Sequence, residues 1–405
     1  MTEDAEKAAN REPSAEFPLW QTVGMAFRIW AEQYADKEAL VCGSERLSYR
    51  RLYANVQHYR AQLARAGVSR GQRVAIMAPS SPSWASVLLA VMDLGAVAVP
   101  INPRAKPLEL RTILQHSEAS VIVVSGRSRK SNIAQTFMNA AFGSGADPSS
   151  ERKGMQQTFP SLKKVLALDR IDIPFAEELA SAGESPSDAR KAGFGGSIDS
   201  GTSANDAALI IYTSGTTGAP KGVVQSHGAI VKKAFDRAAW YRVSSEDRLL
   251  CSLPLYTQWG CNALLLSQLS HGVTVVLQEE FDAPEAMELI ARERCTIFSG
   301  TPTHFRMLMD LEPSRHSANT RLRYANVSGD LISDEFYREV MRFFPGSRII
   351  SGYGMTESTG LITATLPMGP DAATFQTIGY PMPDVEVAVQ DPQTNLEVAD
   401  GVEGE

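Results

Sequence analysis

Short apolar runs alternate with segments of helical periodicity along most of this 405-residue chain. The runs RVAIMAP, AVAVPI and SVIVVS lie between residues 73 and 125, and the segments between them carry apolar residues at helical spacing. The same alternation returns from residue 248 to residue 350. Strands that alternate with helices form parallel sheets built from βαβ units. We therefore predict an α/β fold with mainly parallel sheets.

The distribution of these signals predicts two βαβ-type subdomains and a smaller third part. Gly, Ser and Asp are frequent between residues 126 and 206, so we place a first α/β subdomain at 19–206 and a second at 207–366. Pro and Gly punctuate residues 367–405, which we interpret as part of a small β-barrel-like subdomain with a strand in VEVAVQD. Residues 1–18 are polar and charged, which predicts a disordered tail and not a secretion signal.

Composition excludes several classes of function. A formal net charge of −7 argues against nucleic acid as the main partner, because that binding depends on a basic surface. The longest apolar stretch, residues 84–101, contains Asp93 and Gly95 and ends near Pro100, so it predicts a buried helix and strand and no membrane span. The cysteines are far apart and mostly within apolar runs, which favours free thiols in a reducing, cytoplasmic compartment.

The stretch YTSGTTGAPKG has the composition of a polyphosphate-binding loop. It follows the apolar strand LIIY and precedes a segment that predicts a helix near residues 229–240. Glycines let main-chain N–H groups approach a ligand, hydroxyls add donors and the lysine adds a positive charge. The residues concerned are Thr213, Ser214, Gly215, Thr216, Thr217, Gly218 and Lys221. The stretch is not a Walker A loop, since Pro220 precedes the lysine and Gly222 follows it. A flexible surface loop is the alternative.

A second stretch, SGYGMTES, also follows a predicted strand, where α/β sheets place ligand-binding loops. Tyr353 offers a flat face for a purine, with Gly352 and Gly354 allowing its approach. Thr356 and Glu357 place a hydroxyl beside a carboxylate. A carboxylate near phosphates is unfavourable unless a cation lies between them, and Mg²⁺ can bind both groups. The alternative is a helix start, with Thr356 as the N-cap and Glu357 in the first turn.

The two stretches together closely resemble the signature of the adenylate-forming superfamily, which includes acyl- and aryl-CoA synthetases, luciferases and peptide-synthetase adenylation domains. The resemblance runs from about residue 20 to the end, through segments such as TIFSGTPTHFRML and TIGYPMPDVEV. It implies the fold of the large N-terminal domain of such enzymes. It also implies that ATP activates a carboxylic acid as an acyl-adenylate, which a thiol of CoA or phosphopantetheine then converts to a thioester.

The resemblance implies roles for individual residues. Residues Thr213 to Lys221 would hold the β- and γ-phosphates, and Thr356 would contact the α-phosphate. Glu357 would carry Mg²⁺, Tyr353 would stack on adenine, and Gly329 and Asp330 would line the adenine site. We expect Lys221, Thr356 and Glu357 to be the catalytic residues. The candidates for an acyl pocket suited to an aryl or short acyl acid are Trp240, Tyr256, Trp259, Cys261, Thr301, His304 and Ser328.

Two positions depart from the pattern of acyl-CoA synthetases. Thr257 stands where a histidine is expected, and Asp330 replaces a small residue and resembles the acidic residue of peptide-synthetase domains. These departures favour a stand-alone protein that loads a carrier protein in natural-product biosynthesis as the alternative function. A solvated or helix-capping Asp330 is the alternative interpretation of that residue. A non-catalytic adenylate-binding protein is the alternative of a different class.

Relatives in this superfamily continue beyond GEVGE-like residues into a ribose-binding Asp and a small C-terminal lid domain with a catalytic lysine. The chain stops at DGVEGE, so we expect the lid domain to be absent. We therefore expect the chain to bind ATP or an acyl-adenylate analogue and to catalyse adenylation poorly by itself.

Overall fold

A computed structural model describes residues 21–126, 128, 131–143, 152–182, 201–213, 220–311, 321–369 and 377–405. It is a mixed α/β structure with two seven-stranded sheets and one three-stranded sheet in these residues. The predicted α/β class with mainly parallel sheets is therefore confirmed. The tail predicted at 1–18 lies outside the described residues.

The first sheet has the strand order β7-β6-β5-β3-β4-β8-β9. Its strands are β3 (Arg73–Met77), β4 (Val97–Pro100), β5 (Val121–Val124), β6 (Lys164–Ala167), β7 (Glu177–Glu178), β8 (Ala207–Thr213) and β9 (Lys221–Ser226). Neighbours pair in parallel except β8 and β9, which form an antiparallel hairpin at one edge. The central strands are buried on both faces, as the continuous apolar runs indicate.

The second sheet repeats this plan with the order β14-β13-β12-β10-β11-β1-β2. Its strands are β1 (Glu38–Cys42), β2 (Glu45–Ser48), β10 (Arg248–Cys251), β11 (Thr274–Leu277), β12 (Ile297–Gly300), β13 (Tyr324–Val327) and β14 (Arg348–Ile350). Parallel pairing again ends in one antiparallel edge hairpin, here β1 and β2.

Each edge hairpin joins a sheet whose other strands come mainly from the opposite side of the boundary predicted at residue 206. β8 joins the first sheet beside β4, with Ala98 opposite Leu209, and β1 joins the second sheet beside β11, with Leu40 opposite Val275. The apolar strands β1 and β8 each need a buried parallel neighbour, and that neighbour lies in the other part of the sequence. The two sheets therefore do not divide at residue 206, and the proposed division into domains stays a prediction.

The third sheet contains β15 (Gly352–Met355), β16 (Gly360–Ala364) and β17 (Tyr380–Pro381), all antiparallel. Within the described residues this region forms no closed barrel, so the barrel-like shape expected for 367–405 is not observed. The strand predicted in VEVAVQD is also wrong, because only Gln390 of that segment makes a bridge, to Glu397. Its apolar residues Val387 and Val389 are exposed and have no core to line.

Helices connect and cover the sheets. Their bounds are α1 (Val23–Gln33), α2 (Tyr49–Arg65), α3 (Pro82–Asp93), α4 (Pro107–Ser117), α5 (Ile133–Phe142), α6 (Arg152–Thr158), α7 (His227–Trp240), α8 (Ser267–Leu269), α9 (Ala283–Arg292), α10 (Pro302–Met309) and α11 (Asp334–Phe343). The helix predicted near 262–269 begins earlier, as a π-helix from Trp259 to Leu266. Side-chain caps begin several helices, and Ser81 accepts from Trp84 N ahead of Pro82 at the start of α3.

One apolar cluster joins the two sheets. It includes Trp30 of α1, Trp84 of α3 and Leu249 of β10, all essentially inaccessible to solvent. The stretch from residue 84 to residue 101 forms the buried helix α3 and the strand β4, as predicted. Across the described part of the chain, every helix is too short or too polar to cross a membrane.

Candidate active site

A cavity of about 1610 Å³ opens where β12, β13 and β14 reach their carboxyl ends. Pro302 and Thr303 follow β12, Ser328 follows β13 and Ser351 follows β14, and all four line the cavity. Parallel strands place their carboxyl ends at one edge of a sheet, which is where open α/β sheets bind ligands. Helix α7 and the start of the π-helix form the facing wall.

The predicted purine platform lies on this cavity. Tyr353 is 44% exposed and lines it, together with Gly352 and Gly354. A Cβ atom at Gly354 would lie 2.1 Å from the Gly360 carbonyl oxygen, and one at Gly352 would lie 2.7 Å from a Leu361 methyl group. The close approach of β16 is thus sufficient to require both glycines, and access of a ligand to Tyr353 stays a prediction.

Thr356 also lines the cavity, at the first position of a turn that joins β15 to β16. No helix begins here, so the alternative of an N-cap at Thr356 is wrong. The Thr356 carbonyl oxygen accepts a hydrogen bond from Gln225 Nε2 at 2.8 Å. Because Gln225 is a buried residue of β9, this contact ties the second motif to the strand that follows the first motif. Glu357, next in the turn, is exposed.

The ends of the predicted phosphate loop meet at the base of the β8–β9 hairpin. Thr213 is the last residue of β8 and lies directly opposite Lys221, the first residue of β9. The lysine side chain is exposed. Residues Ser214, Gly215, Thr216, Thr217 and Gly218 lie outside the described residues. We did not predict a hairpin here, because the glycine-rich composition gives no strand signal for the short strand that begins at Lys221.

The segment predicted to line adenine contributes Gly329 and Asp330 to the cavity. Gly329 has φ +94°, and a Cβ there would lie 3.1 Å from the Trp259 ring, so a side chain would be strained and crowded. Asp330 is exposed and accepts from the Leu331 main-chain N–H at 2.8 Å. It does not cap α11, because Ser333 does so by accepting from Phe336 N.

The structure accounts for the threonine at position 257. Thr257 Oγ1 donates to the Pro254 carbonyl at 2.8 Å and accepts from Gly260 N at 3.0 Å, so its hydroxyl holds the start of the π-helix. The next residue, Gln258, lines the cavity and accepts from Gln225 Nε2 at 2.8 Å. Gln258 Nε2 is buried without a partner among the described residues. In the segment around Thr257, the side-chain amide N–H group of Gln258 is therefore left without a described partner.

Of the acyl-pocket candidates, Trp259 and Ser328 line the cavity. The others have different surroundings. Trp240 Nε1 donates to the Thr365 carbonyl at 3.1 Å, and Tyr256 packs on the main apolar cluster. Cys261 is fully buried, and burial raises the pKa of its thiol to about 12.

Thr301 and His304 form a capping box at the start of α10, with Thr301 Oγ1 and His304 Nδ1 2.7 Å apart. Burial lowers the pKa of His304, whose ring packs edge-to-face on Phe281. Local capping therefore explains both residues, although their neighbours Pro302 and Thr303 line the cavity.

Sequence reasoning missed the basic residues of the cavity, which are Lys233 and Arg237 of α7 and Arg306 of α10. Arg237 lies three residues after the buried Ala234 and seven after the buried Ile230. That spacing places an arginine on the apolar stripe of the helix, and this signal could have identified it. The described residues contain no cluster of three metal-ligating side chains.

Two glycine-rich motifs, joined through Gln225 at the edge of an α/β sheet, define an adenylate-forming type of enzyme. The chain belongs to the AMP-binding enzyme family, which matches residues 27–405. The resemblance inferred from the motifs is thereby confirmed.

Individual relatives are distant. The chain is 26% identical over 364 residues to a 3-hydroxybenzoate–CoA ligase of an Aromatoleum species, covering 89% of this chain and 63% of that protein. It is 28% identical over 396 residues to tyrocidine synthase 3 of Brevibacillus parabrevis, covering 96% of this chain and 5% of that protein. The inhibitor-bound N-terminal domain of FACL13 from Mycobacterium tuberculosis shares the fold, with a TM-score of 0.77, 24% identity and coverage of 93% and 86%.

Proposed function

We propose that this protein takes part in ATP-dependent ligation of a carboxylic acid to CoA. In the first half-reaction a carboxylate oxygen attacks the α-phosphorus of ATP. The new bond joins that oxygen to phosphorus, and the bond to the β-phosphate oxygen breaks as pyrophosphate leaves. In the second half-reaction a thiolate sulfur attacks the acyl carbon, the thioester forms, and AMP leaves with the oxygen.

The observation that carries this proposal is the 2.8 Å hydrogen bond from Gln225 Nε2 to the Thr356 carbonyl. It fixes the turn of the second motif against β9, whose first residue is Lys221. A triphosphate lying between the β8–β9 loop and Thr356 would meet donors from both motifs. Donors placed before the reaction stabilise charge that develops in the transition state.

The residues present fit a magnesium ion bound together with ATP. Mg²⁺ needs only one or two carboxylates when phosphates supply other ligands, and the exposed Glu357 lies next to the cavity residue Thr356. When bound, the ion would neutralise phosphate charge. Glu357 would hold it, and Tyr353 and Gly329 would border the adenine.

A carrier-protein phosphopantetheine is the second candidate acceptor. The similarity to tyrocidine synthase 3 and the acidic residue Asp330 on the cavity favour it. CoA and a phosphopantetheinylated carrier protein present the same thiol. Thioester formation with each, measured at equal thiol concentration, decides between them.

The test is Glu357→Gln, assayed by acid-dependent ATP–pyrophosphate exchange over a panel of carboxylic acids. The variant keeps the shape of the side chain and removes its charge, so exchange should fall by about 10²–10³-fold. Glu386→Gln is a matched control, because Glu386 is also exposed and is not among the residues that line the cavity.

Unchanged exchange in Glu357→Gln would show that this carboxylate does not carry the metal. Calorimetry with an acyl-sulfamoyl-adenosine, a non-reacting mimic of the acyl-adenylate, tests the binding site separately from turnover. A wild-type chain that neither binds the mimic nor exchanges pyrophosphate would overturn the proposed function. Acid-dependent exchange by the wild type, even at a low rate, would exclude a non-catalytic adenylate-binding protein.

A further inference from the structure

Arg237 is a buried cation that faces the cavity without a described acidic partner. Arg237 is 7% exposed and is one of the residues that line the cavity. Its Nε–H has no hydrogen-bond acceptor among the described residues. Burying a charge costs free energy unless an opposite charge or good acceptors compensate for it.

The described surroundings of Arg237 compensate only part of this cost. With the Asn326 amide oriented to satisfy its neighbours, its oxygen accepts from one terminal nitrogen of Arg237 at 2.9 Å. The guanidinium carbon lies 5.6 Å from the centre of the Tyr241 ring, a weak cation–π contact. Burial lowers the pKa of Arg237, and among the described residues the Tyr241 hydroxyl opposes this effect. The Nε–H of this rigid, planar donor group therefore has no described acceptor, and the described residues leave the positive charge without an acidic partner.

A second cavity arginine provides a contrast. Arg306 is paired with Glu339 at 2.9 Å, its side chain is 52% exposed, and it stacks over the Phe336 ring. Its charge is neutralised in the protein and accessible to water. Arg237 has neither a described acidic partner nor free access to water, although both arginines line the same cavity.

Arg237 is also remote from the predicted reaction centre. Gln225, which holds Thr356, precedes Arg237 by twelve residues, nearly all of them in α7. At about 1.5 Å per helical residue, the main chain of Arg237 lies roughly 15 Å along the helix from that contact. The Ser351 carbonyl accepts from the Tyr241 hydroxyl beside Arg237. Four residues of extended chain, 352–355, separate Ser351 from Thr356, which is again roughly 15 Å.

We propose that Arg237 binds a second carboxylate of the acid substrate, at the end remote from the carboxylate that is activated. The substrate class is then a dicarboxylic acid, or a monoacyl derivative of one. This inference rests on the proposed function, because it assigns the orientation of the substrate within that site. A carboxylate matches the guanidinium fork with two parallel N–H···O bonds, and it supplies the charge that the protein does not.

The lining of the cavity supports an anionic occupant. Lys233, Arg237 and Arg306 line it, whereas Asp330 is the acidic residue among the described lining positions. This bias is local, since the chain as a whole carries a formal net charge of −7. Lys233 donates to the Leu361 carbonyl at 3.1 Å, so it adds positive charge to the same wall.

The test measures binding of matched acyl-sulfamoyl-adenosines to the full 405-residue chain by calorimetry. Each pair differs only at the remote end, which is a methyl group in one compound and a carboxylate in the other, over a series of acyl lengths. A third compound with a remote ketone controls for simple hydrogen bonding. We expect the wild type to prefer the carboxylate by about 10-fold to 100-fold at one length.

Arg237→Met should abolish this preference by weakening binding of the carboxylate-ended compound. Arg306→Met is the matched control and should keep the preference. Arg237→Lys should retain part of it, because a charge remains while the fork is lost. The melting temperature of ligand-free Arg237→Met should change little, because loss of the hydrogen bond to Asn326 is offset by removal of a buried charge that has no described acidic partner, whereas an arginine with a structural role would lower it strongly.

Equal binding of the methyl and carboxylate compounds by the wild type at every length overturns this inference and leaves the proposed function intact. A preference for the ketone over the carboxylate also overturns it. A carboxylate preference that survives in Arg237→Met assigns the contact to another residue. Failure of every compound to bind counts against the proposed function and this inference together.

Discussion

The two large sheets have the same plan, but their edge hairpins differ. Each has seven strands, six in parallel succession and one antiparallel strand added at the edge. In the second sheet, β1 and β2 are joined by two residues, 43 and 44. In the first sheet, seven residues, 214–220, separate β8 from β9, and Thr213 and Lys221 close the loop. The longer connection is the predicted phosphate loop.

The short hairpin is fixed by an ionic network. Glu293 is nearly buried and accepts hydrogen bonds from Arg46 of β2 at 2.9 and 3.1 Å and from Arg248 of β10 at 3.0 Å. Arg248 also pairs with Glu38 of β1 at 2.7 Å. The long hairpin instead presents the exposed Lys221. The same topology therefore supports a structural role at one edge and a binding role at the other, and the side chains decide which.

The largest expected effect is on the long hairpin. Lys221→Ala should reduce ATP–pyrophosphate exchange by about 10²–10³-fold, because it removes a positive charge directed at developing phosphate charge. Stability should change by less than about 0.5 kcal/mol, since the side chain is exposed. Exchange kinetics at varied ATP, together with thermal melting, check both parts. A large fall in melting temperature with unchanged kinetics would make Lys221 structural.

The short hairpin should give the opposite result. Glu293→Gln removes the acceptor charge shared by Arg46 and Arg248, and we expect a loss of about 2–3 kcal/mol of unfolding free energy. Urea unfolding measures this loss. Binding of the adenylate mimic by the folded variant should be unchanged. If the variant binds the mimic more weakly at low temperature, where it is folded, the separation of the two roles is wrong.

Gln225→Leu tests the link between the first sheet and the turn at Thr356. It leaves the Thr356 carbonyl without its described donor, so exchange should fall by about 10-fold, equivalent to about 1.4 kcal/mol. Gln258→Leu is the control, because it removes the other partner of Gln225 and keeps the bond to Thr356. Equal losses in the two variants would show that the glutamine pair, and not the contact with Thr356, matters.

The smallest expected effect is a loss of stability at acidic pH, caused by two buried histidines that lie next to strands of the two sheets. His227 follows β9 and accepts from Val23 N, and His271 precedes β11. Burial lowers the pKa of each to about 4, from about 6.5 when unfolded. Between these values the unfolded chain binds more protons, so stability is complete above pH 6.5 and is lost as the pH falls toward 4.

Each histidine should contribute a loss of about 1 kcal/mol by pH 5.5. Urea unfolding between pH 7 and pH 5 measures this, and His227→Gln and His271→Gln should each remove part of the slope. A slope that neither variant changes would mean that other groups cause the acid sensitivity.

The sequence alone determined the class of fold and the two motifs. The apolar runs and helical spacings are local properties, and β3, β4, β5 and the helices between them lie close to their predicted positions. The motifs were equally local, and they were sufficient to identify the family. Prediction failed where local signals were weak, as at β1, β2 and β9, whose pairing partners decide that they are strands.

Only the tertiary structure decided which sheet each hairpin joins, which residues line the cavity and which polar groups remain unpaired. Cys261 and Trp259 both lie in the π-helix, yet one is buried in the core and the other faces the cavity. Arg237 likewise lies on the buried stripe of α7, where its described hydrogen-bond partner, Asn326, belongs to β13. The physical reason is that a local pattern shows which face of an element is buried. What covers that face depends on contacts between residues far apart in the chain.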